Sequence, residues 1–344
     1  MCIPIDETTG YSYQYQNIGQ TSNKGIEIAL NYDVIRTKDF TLGVSATYNY
    51  NHNNIDELAD NIIAQYGSQW ASSATTPTYD YEFREGKPVG LIRGYICDGY
   101  YTTADFNYDP ATKTYTLKPG VADLGNQVGN YPSHYNLPEG QKAFPGAVKL
   151  RDLDGNGVAD TEDVADLGEI THPHTGGFNL NMTWKDIDFS AGFAWATGGH
   201  VYNVNSLINM YGNKDTGAGA NKLEFISDCY QIYDIQNGEL VPVVEPDALD
   251  ALNTGAKYGV SYMENGTVLS TFVEDASFLR LNTLTVGYTF PKAWTKKIGM
   301  QRARVYATAG NLFTITGYSG IDPEVNADPN KSTCLLYTSP SPRD

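Results

Sequence analysis

Residues 23–50 constrain the fold more than any other part of the chain, because apolar and polar side chains alternate there almost without a break. Ile26, Ile28, Leu30, Tyr32 and Val34 fall on one face of an extended strand, and Glu27, Ala29, Asn31 and Asp33 on the other. After Thr37, Lys38 and Asp39 the pattern restarts, with Phe40, Leu42, Val44, Ala46, Tyr48 and Tyr50 against Thr41, Gly43, Ser45, Thr47 and Asn49. Successive side chains of a strand point to opposite faces, so this period of two predicts ribbons with one apolar and one wet face. A tilted barrel strand needs about 9–11 residues to cross a bilayer. Both runs reach that length, which points to a transmembrane β-barrel wall.

The same hairpin recurs twice. Phe178, Leu180, Met182 and Trp184 alternate with Asn179, Asn181 and Thr183; a Lys185-Asp186 turn follows, then Ile187, Phe189, Ala191, Phe193 and Trp195 against Asp188, Ser190, Gly192 and Ala194. A third pair covers residues 278–290 and 302–313, with Leu284, Val286, Tyr288 and Phe290 on one face, and a weaker strand covers residues 89–101. Between the hairpins lie long polar segments, residues 52–87, 102–146 and 199–275, rich in Gly, Pro, Asn, Asp and Tyr. Compact soluble domains seldom carry such long loops, whereas outer-membrane barrels pair short periplasmic turns with long extracellular loops. Aromatic residues near strand ends (Tyr48, Trp184, Trp195, Tyr288, Trp294) suit interfacial girdles. The fold class expected is all-β: an antiparallel transmembrane β-barrel, present as an open arc of seven to nine strands from a barrel of roughly 22, with long extracellular loops. An open arc leaves unpaired edges, so the isolated chain should not form a pore.

Composition narrows the alternatives. A formal charge of −17 and an isoelectric point near 4.6 argue against nucleic acid, whose binding needs a basic surface. With a mean hydropathy of −0.39 and no apolar run of about 18 residues, helical membrane spans are excluded. Alternation hides a barrel from such averages. Cys2, Cys97, Cys229 and Cys334 show no metal-type spacing. No charged segment followed by an apolar stretch opens the chain, so an outer-membrane reading requires an internal piece of a longer protein.

One segment reads as a ligand site. Asp152, Asp154 and Asn156 stand at positions 1, 3 and 5 of a calcium-type loop, Gly157 at position 6, the Val158 carbonyl at 7, and Asp160 and Asp163 at 9 and 12. Glycine permits the sharp turn that folds these oxygens around one cation. Asp163 replaces the usual glutamate, and the flanks are loop and strand, so a structural calcium ion stiffening an extracellular loop is expected. The alternative is a turn rich in Asx hydrogen bonds. His172 and His174 flank Pro173 without an evident third ligand. No nucleophile elbow, phosphate loop or zinc-protease motif occurs, so no enzymatic activity is assigned. Tyr79, Tyr81, Tyr95, Tyr100, Tyr101, Tyr131 and Tyr135 could stack on sugar rings, but as loop-packing residues they need no ligand. Arg280, between Leu279 and Leu281, is expected to face the lumen or neighbouring acids.

Several ordered motifs carry a family resemblance. They are Asn23-Lys24-Gly25-Ile26-Glu27, GLIRGYICDG from Gly90, PGAVKLRDLDGNGVADTED from Pro145, and GEITHP from Gly168. Phe278-Leu279-Arg280-Leu281 follows, with LTVGYTF from Leu284, Gly310-Asn311-Leu312-Phe313 and Gly320-Ile321-Asp322-Pro323-Glu324. Over residues 11–328 this series resembles the C-terminal barrel of SusC/RagA-like TonB-linked outer-membrane proteins. The resemblance implies import of glycans or peptides across the outer membrane of a Gram-negative bacterium, with a SusD-like surface lipoprotein as lid. It also implies a TonB complex acting through segments that precede residue 1, a plug domain there, outer-membrane lipid around the wall, and final strands after Asn326. Residues 1–330 would be the partial barrel domain; residues 331–344 show no alternation and read as a non-native or disordered tail. The reading from another class is a soluble calcium-dependent carbohydrate-binding β-sandwich or adhesin, which explains the alternation and the acidic loop but not the rhythm of short and long connections.

Overall fold

The computed structural model describes residues 19–58, 81–126, 134–203, 206–207, 224–260, 267–320 and 322–324, and the backbone of three short strands at Cys2–Pro4, Tyr13–Tyr15 and Ala64–Tyr66. Residues 331–344 and the tyrosines Tyr79 and Tyr131 lie outside the described residues.

Six long strands form the principal sheet: β1 (Gly19–Arg36), β2 (Phe40–Leu58), β3 (His174–Trp184), β4 (Ile187–Thr197), β5 (Phe278–Thr289) and β6 (Arg304–Thr316). Each pairs antiparallel with its sequence neighbour, so the sheet is an up-and-down meander. Hairpin turns of three residues (Thr37, Lys38, Asp39) and two residues (Lys185, Asp186) and the segment 290–303 close it at one end; residues 59–173 and 198–277 leave and return at the other. Lys185 makes the tightest turn by taking a left-handed φ of 55°. Strands β3 and β4, at 11 residues each, reach about 36 Å when extended. Tilted by about 45°, they match an apolar band about 25 Å tall.

Register carries the apolar residues onto a single face. Ile28 pairs with Tyr48, Leu30 with Ala46, Val44 with Leu180, Leu180 with Ala191, Ala191 with Leu284, and Leu284 with Ala309. Phe178 and Phe193 stack on this face with ring centroids 4.5 Å apart. Among the described residues no second layer covers it: Ile26, Leu30, Val286 and Ile315 stay 61, 58, 45 and 62 % exposed. A β-sandwich buries such a face against a partner sheet.

The opposite face is hydroxyl- and amide-rich. Thr41 hydrogen-bonds Thr183, the Asn49 amide donates to Thr175 Oγ1 at 3.4 Å, and Thr285 meets Thr308 at 3.0 Å. At Gly287 the missing side chain lets Arg304 of β6 reach over β5 to Asp188 of β4, with Nε to Oδ1 at 3.0 Å. A Cβ at position 287 would come within 2.5 Å of that guanidinium.

Four expectations change. A bulge between Asp33 and Ile35 takes Val34 out of register, and Ile35 replaces it opposite Leu42. A second bulge at Asn282 keeps both Leu281 and Leu284 on the apolar face despite their odd spacing. The wall holds six strands among the described residues rather than seven to nine, because residues 89–101 split into Leu91–Gly94 and Cys97–Tyr100, which pair with Ala165–Glu169 and Val148–Leu150 outside the wall. The polar run 51–58 extends β2, since its backbone keeps pairing with residues 19–25 of β1.

The two long connections are folded, and fold on each other. Tyr101, Phe106, Tyr115, Leu124 and Phe144 from the first share a buried cluster with Leu207, Tyr230, Leu249, Leu269 and Phe272 from the second. Tyr95 and Val268 join them through the backbone, N–H to O at 2.9 Å, and Ser270 N–H returns the bond to the Tyr95 carbonyl at 3.0 Å. Tyr101 and Tyr115 have no exposed surface. Their hydroxyls donate to the carbonyls of Ala122 (2.7 Å) and Val244 (2.6 Å), as buried phenols require. Gly146 is fixed by two demands: its φ is +94°, and a Cβ would lie 2.4 Å from the Tyr230 ring. The core of the described molecule therefore lies in its loops and not under its sheet.

Candidate functional site

The acidic loop sits on this loop assembly, anchored by buried Ala159 and Asp163. Its backbone folds back on its own carboxylates. Asp152 accepts from Gly155 N–H at 2.7 Å and from Gly157 N–H at 2.8 Å, and these bonds, chiefly the one to Gly157, hold its carboxyl below the usual range. Asp163 accepts from Leu153 N–H (2.6 Å) and Asp160 N–H (2.8 Å) while capping the short helical turn Thr161–Asp163. Gly155 and Gly157 take φ of +78° and +90°, which makes the reversal possible.

Three of the six expected ligands converge: carboxylate oxygens of Asp152, Asp154 and Asp163 lie within 4.8 Å of one another. Asn156 and Asp160 are turned toward each other, Asn156 Nδ2 donating to Asp160 Oδ2 at 2.9 Å and to Asp154 Oδ2 at 3.0 Å, while Val158 N–H donates to Asn156 Oδ1. Three oxygens of one sign held this close by backbone N–H groups form a donor set suited to a hard cation. The remaining ligands would come from Asn156 and Asp160 after those side chains part.

A second feature lies where the polar face of the sheet meets the loops. A cavity of about 850 Å³ is lined by Glu27, Asn49, Asn51, Thr175, His172 and Glu324 among others. His172 Nε2 donates to the Ala276 carbonyl at 3.1 Å, and His174 Nδ1 meets the Tyr48 hydroxyl at 2.9 Å. Each histidine thus has its own partner, and no third His, Cys, Asp or Glu groups with them among the described residues. Tyr95, Tyr101 and Tyr135 are buried in the loop core rather than presented to solvent.

Arg280 faces the polar side as expected and binds acids. Its guanidinium reaches Asp322 Oδ1 and Glu324 Oε2, both at 2.6 Å, and Thr314 Oγ1 at 3.0 Å. Two further arginines were not singled out from sequence. Arg93 binds Asp166 Oδ1 at 2.9 Å and the Val164 carbonyl at 2.8 Å; Arg151 holds Asp98 through two bonds of 2.5 and 2.9 Å. Each pair joins segments that are distant in sequence. With 23 cations against 40 acids, an arginine in a turn-rich segment was the available signal.

This arrangement, a one-layer meander with an uncovered apolar face and folded loops at one end, recurs in known proteins. No family model matches the chain. The TonB-dependent receptor P3 of Formosa agariphila is 28% identical over 323 residues, 94% of this chain and 27% of that protein. The TonB-dependent receptor SusC of Bacteroides thetaiotaomicron is 27% identical over 345 residues, 98% of this chain and 28% of that protein. Along nearly its whole length the chain is similar to SusC-type TonB-dependent receptors. Its fold is that of the RagAB peptide transporter structure, which it matches with a TM-score of 0.60 at 22% identity over 93% of this chain and 29% of that one. The chain spans a little over a quarter of the length of these curated relatives. These relatives are named as receptors and the matching structure as a transporter, none of them as an enzyme.

Proposed function

We propose that this chain forms part of the wall and outer mouth of a TonB-dependent nutrient importer in the outer membrane of a Gram-negative bacterium. The observation that carries the reading is the continuous apolar stripe from Ile28 to Ala309, uncovered on one side and backed by threonine and asparagine ladders on the other. Hydrocarbon solvates the first face and a water-filled lumen the second, while neighbouring strands pair each other's backbone groups along ladders broken only by local bulges. Short turns would face the periplasm and the packed loops the exterior. Transport is by binding and conformational change, driven through TonB by segments outside residues 1–344.

The cargo would be an oligosaccharide or a peptide, taken up under a SusD-like lipoprotein that rests on the loop assembly. One structure with this fold is named a peptide transporter, which supports the peptide class. The test is growth of a strain lacking the full-length gene on glycan and peptide panels. Loss of growth on one class, restored by the gene, supports the reading and names the cargo. A folded, monomeric product that stays in solution without detergent contradicts it.

A calcium ion bound by Asp152, Asp154 and Asp163, with Asn156, the Val158 carbonyl and Asp160 completing the shell, would stiffen the outer loops. Chelation should then speed proteolysis of residues 152–163, and Asp154→Asn should abolish the calcium effect. Unchanged cleavage across a calcium titration removes the metal.

A further inference from the structure

The end of the sheet that carries the short turns differs in charge from the rest of the chain. Residues 291–304, most of the β5–β6 connection and the first residue of β6, include Lys292, Lys296, Lys297, Arg302 and Arg304 and no acid, within a chain of formal charge −17. Arg304 is matched by Asp188. Among the described residues, the other four form no ion pair with a carboxylate.

The same segment exposes large apolar side chains. Trp294, Ile298 and Met300 are 61, 67 and 51 % exposed. The segment is nevertheless built onto the sheet: helix Lys292–Thr295 and the turn Lys296–Ile298 follow one another, Thr295 is buried, and Phe290 N–H bonds the Ala303 carbonyl at 2.9 Å. The neighbouring hairpin repeats the chemistry. Trp184, about half exposed, ends the apolar stripe opposite Phe40 and Ile187, and the Lys185 ammonium stands 5.9 Å from its ring centroid.

A tryptophan at the end of an apolar stripe with an amine beside it suits one boundary, where hydrocarbon gives way to phosphate. The indole occupies the headgroup layer and the lysine stem carries its charge outward. Continuity with the apolar stripe and the local excess of unpaired cations select the occupant. We propose that this rim binds the phosphate headgroups of anionic phospholipid in the leaflet on the turn side, through Lys185, Lys292, Lys296 and Lys297, with Trp184 and Trp294 seated among the headgroups. The inference rests on the membrane-spanning reading of the sheet.

A basic residue near such a surface raises affinity for anionic lipid by about fivefold. The test is native mass spectrometry of the full-length receptor, after vesicle insertion has been verified, titrated with phosphatidylglycerol and with phosphatidylcholine of the same chains. The wild type should prefer the anionic lipid, and Lys292→Gln/Lys296→Gln/Lys297→Gln should cut that preference by at least about fivefold. Trp294→Gln should weaken both lipids alike. A preference that is absent, or unchanged in the triple variant, overturns the inference. Displacement of the lipid by an equal concentration of inorganic phosphate also overturns it, in favour of a free-anion site. A protein that fails to insert contradicts the membrane reading and this inference together; one that inserts without anionic preference contradicts this inference alone.

Discussion

The wall and the loop assembly solve the same problem, protecting backbone polar groups, by opposite means. In the wall, ladders satisfy the backbone and the apolar side chains face outward: Leu30 is 58 % exposed. In the loops, short irregular strands satisfy it less regularly, and an inward core excludes water: Tyr101, Tyr115 and Leu269 are fully buried. The wall needs a hydrocarbon solvent for its stability, and the loops need water. The two halves should therefore respond to different perturbations.

Alkali should separate them most. Burial, with nearby Asp160 and Asp163 adding to it, pushes the Tyr95 hydroxyl up to about 12, and burial also raises Tyr101, Tyr115, Tyr135 and Tyr230. A folded value above the unfolded one of about 10 means that stability is full below pH 10 and is lost as pH rises through the folded values. Tyrosinate absorbance should appear cooperatively above pH 10 with loss of the loop structure, while the strand circular-dichroism signal persists.

Core truncation comes next. Phe144→Ala should cost the loop assembly about 3–5 kcal/mol, seen as rapid protease cutting in residues 91–173 with the wall intact. Leu180→Arg should do the reverse. It should cost the wall about 2–4 kcal/mol at the bilayer midplane, whereas Asn181→Arg, one residue along on the polar face, should change vesicle insertion little. The smallest effect lies at the junction. Arg280→Met leaves Asp322 and Glu324 without their cation; because both acids are well exposed, the loss should be about 1–2 kcal/mol. Charge reversal of Asp322 on top of it should add little if the two act as one unit.

The wall was legible in the sequence because side-chain period and strand geometry are the same quantity. Strand β3 contains the whole alternating run from Phe178 to Trp184 and ends with it. Bulges are not legible this way: Val34 and Ile35 are both apolar, and only the pairing with Leu42 decides which one faces outward. The loop core was illegible for a different reason. Tyr115 and Leu249 are buried in the same cluster yet lie more than a hundred residues apart, and neither belongs to a periodic run. In the acidic loop, spacing brought Asp152, Asp154 and Asp163 together because glycines at 155 and 157 enforce the reversal. The mutual bond of Asn156 and Asp160 follows from side-chain orientation, which spacing does not encode.

The central claim is that the uncovered apolar face meets hydrocarbon, and spin labels at consecutive positions 28–31 and 178–181 of the full-length receptor in vesicles test it most directly. The account predicts oxygen accessibility peaking at 28, 30, 178 and 180 and water-soluble relaxant accessibility peaking at 29, 31, 179 and 181. Low accessibility to both agents at 28, 30, 178 and 180 would place that face inside a packed protein core and contradict the account.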